Sequence, residues 1–130
     1  MGVLVDYFTA DSELSARRAL SPGPAAVNLP YVDCKGWIDE LATMVAEISG
    51  RDLSEFGDSE VVVDDGDAAG VERMAPEAVA ALAEVDDAQF RAYAEDALLE
   101  DYEVERMAAL RDLAREAVRL NHGMYRWSCV

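Results

Sequence analysis

Lysine is almost missing from this sequence. Lys35 is the sole one; the other ten basic residues are arginines, and they face 27 acids, for a formal charge of −16 over 130 residues. At a pI near 4.2 the chain repels phosphate backbones and anionic lipid surfaces over a Debye length of about 8 Å, so nucleic-acid and membrane binding are disfavoured. Histidine is as scarce. His122 stands alone beside Gly123, after a long predicted helix, where an imidazole interacts with the helix C-terminus and has no second histidine at metal spacing. The two cysteines, Cys34 and Cys129, lie far apart, and Met1 leads straight into Val3-Leu4-Val5 with an early Asp6 and no basic leader. Reduced thiols in a cytoplasm are the expectation. No apolar run approaches the ~18 residues that would span a bilayer. Phosphate-cradling glycine loops and Gly-x-Ser-x-Gly are also absent, and no reaction is legible; neither cofactor nor metal is expected.

What is present suffices for one domain over residues 1–130, with 52% apolar residues for its core. Val3 to Phe8 is apolar apart from Asp6 and reads as a strand. Asp11 or Ser12 caps a short helix with Leu14, Ala16 and Leu20 on one side, ending before Pro22. Three prolines and a glycine make residues 21–30 a loop. Trp37, Ile38, Leu41, Met44, Val45 and Ile48 recur at helical steps and stop at Gly50. Residues 51–58 form a connector with one helical turn, and Glu60 to Val63 and Val71 to Met74 a hairpin around Asp64-Asp65-Gly66-Asp67.

Pro76 opens a helix to about Val85, and Asp86 or Asp87 caps the next, carried by Phe90, Tyr93, Ala94, Ala97 and Leu98. The longest helix runs from about Tyr102 to Asn121, with Val104, Met107, Leu110, Leu113, Ala114, Ala117 and Leu120 inward and Gly123 ending it. Glu103 with Arg106, Asp112 with Arg115 and Glu116 with Arg119 are spaced to pair across a turn. A last strand, Met124 to Val130, points Tyr125, Trp127 and Cys129 one way and Arg126 and Ser128 the other, and should pair with the first strand. The fold class is therefore α+β: a small mixed sheet that includes both terminal strands, covered on one face by four to five helices.

The segment Val71-Glu72-Arg73-Met74-Ala75-Pro76-Glu77-Ala78-Val79 with its alanine-rich continuation resembles the middle of the small bacterial family of unknown function typified by the YfbM protein. Phe90-Arg91-Ala92-Tyr93, the opening Met1-Gly2-Val3-Leu4, the Asp33-to-Trp37 stretch and the closing tryptophan-containing strand are similar in the same order. The chain departs from that pattern in Asp33-Cys34-Lys35-Gly36-Trp37, which carries an extra residue, and in Ile38 where the family has histidine. Tyr125, Trp127 and Cys129 resemble the Tyr-x-Trp-x-Cys ending of actinobacterial hypothetical proteins. The resemblance implies an α+β fold of modest size and carries over no catalytic residue.

Two accounts of the acidity stay open: a GC-rich or salt-adapted proteome, in which charge serves solubility, and a surface that recognises a cationic protein. The leading expectation is a non-enzymatic protein-binding module, immunity- or inhibitor-like towards a basic partner. Glu55, Asp58, Glu60, Asp64, Asp65 and Asp67, with Glu72, are its candidate contacts. The alternative is a small-molecule binder or enzyme with a pocket at Asp33, Lys35 and Trp37 facing Tyr125 or Tyr7, an aromatic wall with one lysine for an anionic or heterocyclic ligand. A third reading, a DNA mimic, needs its carboxylates on one continuous face. The arginines between Arg106 and Arg119 interrupt such a face.

Overall fold

The structure, a computed structural model, describes residues 4–35, 41–66 and 68–130. In chain order these form β1 (Leu4–Ala10), α1 (Glu13–Arg17), β2 (Tyr31–Asp33), α2 (Leu41–Ser49), β3 (Glu60–Asp64), β4 (Ala69–Arg73), α3 (Pro76–Glu84), α4 (Asp87–Asp96), α5 (Asp101–Leu120) and β5 (Gly123–Cys129), with 3-10 turns at Ala25–Val27 and Leu53–Glu55. The strands make one sheet in the order β2-β1-β5-β4-β3. The α+β class and the pairing of the two terminal strands are as the sequence predicts. The sheet is not mixed, however: every neighbouring pair is antiparallel. The three-helix excursion returns the chain to the end of the sheet it left, so β5 starts beside the end of β4, with Arg73 opposite Tyr125.

The sheet is also covered on both faces, not one. Val5, Tyr7, Met74 and Met124 pack under α2 to α5 in the larger core. Phe8, Ala10, Val71, Tyr125 and Trp127 form a smaller core with Ala16 of α1, Ala19 and the segment through Leu29. Alternation sorts the side chains, and the near-continuous apolar run of β1 is what a strand buried on both faces needs. Trp127 locks the second layer down: its indole N–H donates to the Leu20 carbonyl at 2.8 Å. Gly23, at φ +87°, lets the chain turn against that ring, where a Cβ would sit 3.3 Å from it.

The predicted helices form with instructive deviations. Ser12 caps α1 by accepting from the Ser15 amide, yet Leu14 is 75% exposed; Ala16 and Ala19 are the small residues that let this short helix sit close to the sheet. Leu98 is 86% exposed at φ 54°, because α4 has already ended. Leu120, also expected inward, is exposed at the last turn of α5. That helix stops at Asn121 in the left-handed region (φ 57°), where the His122 amide reaches back to the Ala117 carbonyl at 2.8 Å. Gly123 instead opens β5, where a Cβ would meet the Tyr125 ring and hydroxyl at about 3 Å. The start of the predicted second helix, with Trp37 and Ile38, lies outside the described residues.

Of the three charge pairs expected on α5, only Glu116 with Arg119 forms. Arg115 reaches across to α3 instead, donating to the carbonyls of Ala83 (3.0 Å) and Val85 (2.8 Å), where the end of a helix leaves acceptors free. Arg106 donates to the Lys35 carbonyl at 3.4 Å. Among the described residues no helix is long and apolar enough to cross a membrane.

Candidate functional site

The middle of the sheet carries one unusual row. Val32, Tyr7, Arg126, Glu72 and Val61 stand directly opposite one another across β2, β1, β5, β4 and β3. Paired residues share a face, so this row lies on the side covered by α2 to α5, and Arg126 enters a layer otherwise filled by Tyr7, Met74 and Met124. Above it is a cleft of about 180 Å³, roofed by the start of α2 (Leu41, Ala42) and by residues 53–59, with Ala75 and Ala78 at its side.

The roof holds its shape through local chemistry. Asp52 caps the Leu53–Glu55 turn and Glu55 reaches back to the Asp52 amide at 3.0 Å, a reciprocal capping box. Phe56, buried, carries the Arg51 guanidinium 5.6 Å from its ring centre. Glu72 accepts a long bond, 3.5 Å, from the Ser59 hydroxyl. Arg126 has no such partner: its Nε is buried with no acceptor, and it joins no ion pair among the described residues.

The site predicted around Asp33 and Lys35 is not assembled with Tyr125. Asp33 stands opposite Asp6, and Asp6 opposite Trp127; Tyr125 belongs to the next row on that face, opposite Phe8. Tyr125 is buried and stacked on Phe8 with ring centres 5.4 Å apart. Its hydroxyl is pushed above the ordinary tyrosine range, chiefly by burial. The Asp33 carboxylate is occupied by the Lys35 amide at 2.9 Å, and both residues are exposed. Trp37 lies outside the described residues. Asp6 is the perturbed group here: burial, and then the neighbouring Asp33, raise its pKa from 3.8 to about 6. Cys34 is fully buried, and burial lifts its thiol to about 12, with Arg106 opposing and Asp33 and Asp6 adding, which disfavours the thiolate.

The acids expected to meet a partner fall at the two ends of β3, with Asp67 outside the described residues. Asp65 accepts from the Ala68 and Ala69 amides at 2.8 and 2.9 Å, and Asp64 from the Gly66 amide at 3.0 Å, so both also build the hairpin tip. Asp58 lies at the mouth of the cleft, and Glu60 opens β3 opposite Arg73. Among the described residues no group of three His, Cys, Asp or Glu is gathered to hold a metal. A second cleft, about 360 Å³, holds His122 with Asp11, Glu13, Arg73 and Tyr125. Asp11 there is kept below the usual carboxylate range, first by the Ser15 and Ser12 hydroxyls and then by the His122 charge.

The chain matches no family model, no curated protein and no solved structure. The likeness to the YfbM-typified family therefore assigns no residue a role.

Arg126 and its place in the cleft were missed in the sequence because its alternation with Tyr125 and Trp127 reads as solvent-facing. The signal was in β1. A strand apolar on both faces must have both faces covered, and every strand paired beside it then buries its second set of side chains too.

Proposed function

We propose that the protein is a non-enzymatic, cytoplasmic binding module that receives a basic segment of a partner protein along β3, in an inhibitor- or immunity-like role. The observation that carries this reading is an edge strand set among acids. Among the described residues β3 is hydrogen-bonded on one side only, to β4, with Val61 63% exposed; Glu55, Asp58 and its first residue Glu60 stand at one end, and its last residue Asp64 with Asp65 at the other. No basic residue occurs from Asp52 to Glu72.

An unpaired strand edge offers main-chain donors and acceptors to an extended peptide, and carboxylates on both flanks favour one that carries Lys or Arg. Many arginines are drawn inward or paired meanwhile. Arg111 and Arg115 donate to carbonyls at the end of α3, and Arg51 and Arg119 pair with neighbouring glutamates. Steered association of this kind weakens with salt.

The test is affinity capture from host lysate at low and then ~0.5 M salt, with bound proteins identified by mass, beside a charge-reversed Asp58→Lys/Glu60→Lys double variant. A discrete basic protein that leaves with salt and is not retained by the variant is the expected result. Equal retention by both proteins, or an empty capture, overturns the reading.

A further inference from the structure

The geometry points to a second binding site, which shares Asp58 with the first: the cleft over the middle of the sheet takes a small zwitterion, an apolar or aromatic α-amino acid or a similar ammonium carboxylate. Its carboxylate is received by Arg126 and its ammonium by Glu72. Four observations converge on that class. A guanidinium presents a planar fork of donors matched to a carboxylate, and Arg126 makes no ion pair among the described residues, with its Nε out of water and without an acceptor.

Glu72 stands directly opposite Arg126 on β4, yet the two make no ion pair among the described residues. Among the described residues its one side-chain tie within the cleft is the long one to Ser59. Opposite charges held side by side but apart suit a molecule that carries both signs on neighbouring atoms. Leu53, Phe56 and Met74 supply the apolar wall for the rest of it.

Size and field narrow the class further. At 180 Å³ the cleft falls below the roughly 300–1,000 Å³ of sites for drug-sized ligands, which limits the occupant to a metabolite-sized molecule. A chain of charge −16 repels a net anion, and Asp58 and Glu72 repel it again at close range, whereas a zwitterion enters with no net charge. A plain carboxylate would meet that repulsion uncompensated, and a plain amine would leave Arg126 unsatisfied.

The experiment is a ¹H–¹⁵N NMR titration of the whole chain that follows the Arg126 Nε–Hε signal and the Gly57 and Ser59 amides. The probes are L-leucine, L-phenylalanine, 3-phenylpropanoate and phenethylamine. At least one of the two amino acids should shift those signals saturably, about tenfold or more tightly than either single-charge analogue. Glu72→Gln should weaken the amino acid about tenfold while leaving 3-phenylpropanoate no weaker, and Arg126→Met should abolish both. Should Arg126→Met fail to fold, Glu72→Gln decides alone. No saturable shift with either amino acid up to about 10 mM, or 3-phenylpropanoate binding as tightly as the amino acids, overturns the proposal.

Discussion

Two regions of this molecule draw the Nε of an arginine out of water, and they use the side chain differently. At the seam of α3 and α5, Arg111 donates to the Val85 carbonyl at 3.2 Å and to Asp87 at 2.8 Å while its guanidinium lies 4.9 Å from the Phe90 ring centre. In the cleft, Arg126 does none of this. Both have a buried Nε without an acceptor, so an unmade bond at that atom alone does not mark a ligand site. The remaining nitrogens separate the cases: those of Arg111 bond the Val85 carbonyl and Asp87, whereas Arg126 makes no ion pair among the described residues.

Replacing each arginine by methionine tests that distinction most strongly. Methionine keeps the apolar stem and removes the charge. Arg111→Met should cost about 2 kcal/mol in urea unfolding, because it ends the contacts with Asp87 and Phe90 and removes one of the two arginine donors to the Val85 carbonyl, the other being Arg115. The figure stays below that of a wholly buried pair because Asp87 is largely exposed and stays hydrated when alone. Arg126→Met should change stability by less than about 1 kcal/mol in either direction, since it removes a charge that the fold does not pair. Equal losses would make Arg126 a structural residue and break the contrast.

Arg115 sharpens it on the seam side. Its bonds to Ala83 and Val85 close the C-terminal carbonyls of α3, a function that α3 lacks the residues to perform for itself. Arg115→Ala should cost about 1–2 kcal/mol. It should also accelerate amide exchange over the last turn of α3 before any other helix. Uniform acceleration along α3 to α5 would mean the seam has no such local device.

The seam was far more legible in the sequence than the cleft. The 3.6-residue periodicity of Met107, Leu110, Leu113, Ala114 and Ala117, Pro76 at a helix start and the Asp86 capping box are local patterns, and local patterns fix helices. The cleft depends on register. Nothing near Arg126 in sequence announces that Tyr7 and Glu72 will flank it, because those neighbours come from strands about 120 and 54 positions away and are set by long-range pairing. Charge spacing on α5 misled for a related reason. Arg115 at three residues from Asp112 is equally placed for a surface pair worth a few tenths of a kcal/mol and for carbonyls across the seam, and the less hydrated partners won. β2 went unread because three residues after Pro30 carry no strand period of their own; it forms only because β1 offers an edge.

The smallest effect comes from the face of the sheet opposite the cleft, where Asp6 is the acid counterpart of an ill-matched charge. Its pKa of about 6 lies above the ordinary 3.8, so folding favours its protonated form. The corresponding stability is fully present below about pH 4 and is lost as pH rises through 6. Asp6→Asn, which cannot ionise, should therefore be more stable than the parent chain at pH 7 by on the order of 1 kcal/mol once solvent screening is allowed for. The difference should vanish near pH 4. Burial leads the shift and Asp33 comes second, so Asp33→Asn should leave Asp6 still titrating above its ordinary value, which NMR of the Asp6 carboxyl can follow. If Asp33→Asn returns Asp6 to the ordinary range, like-charge repulsion between the two strands, and not desolvation under Trp127, governs this face.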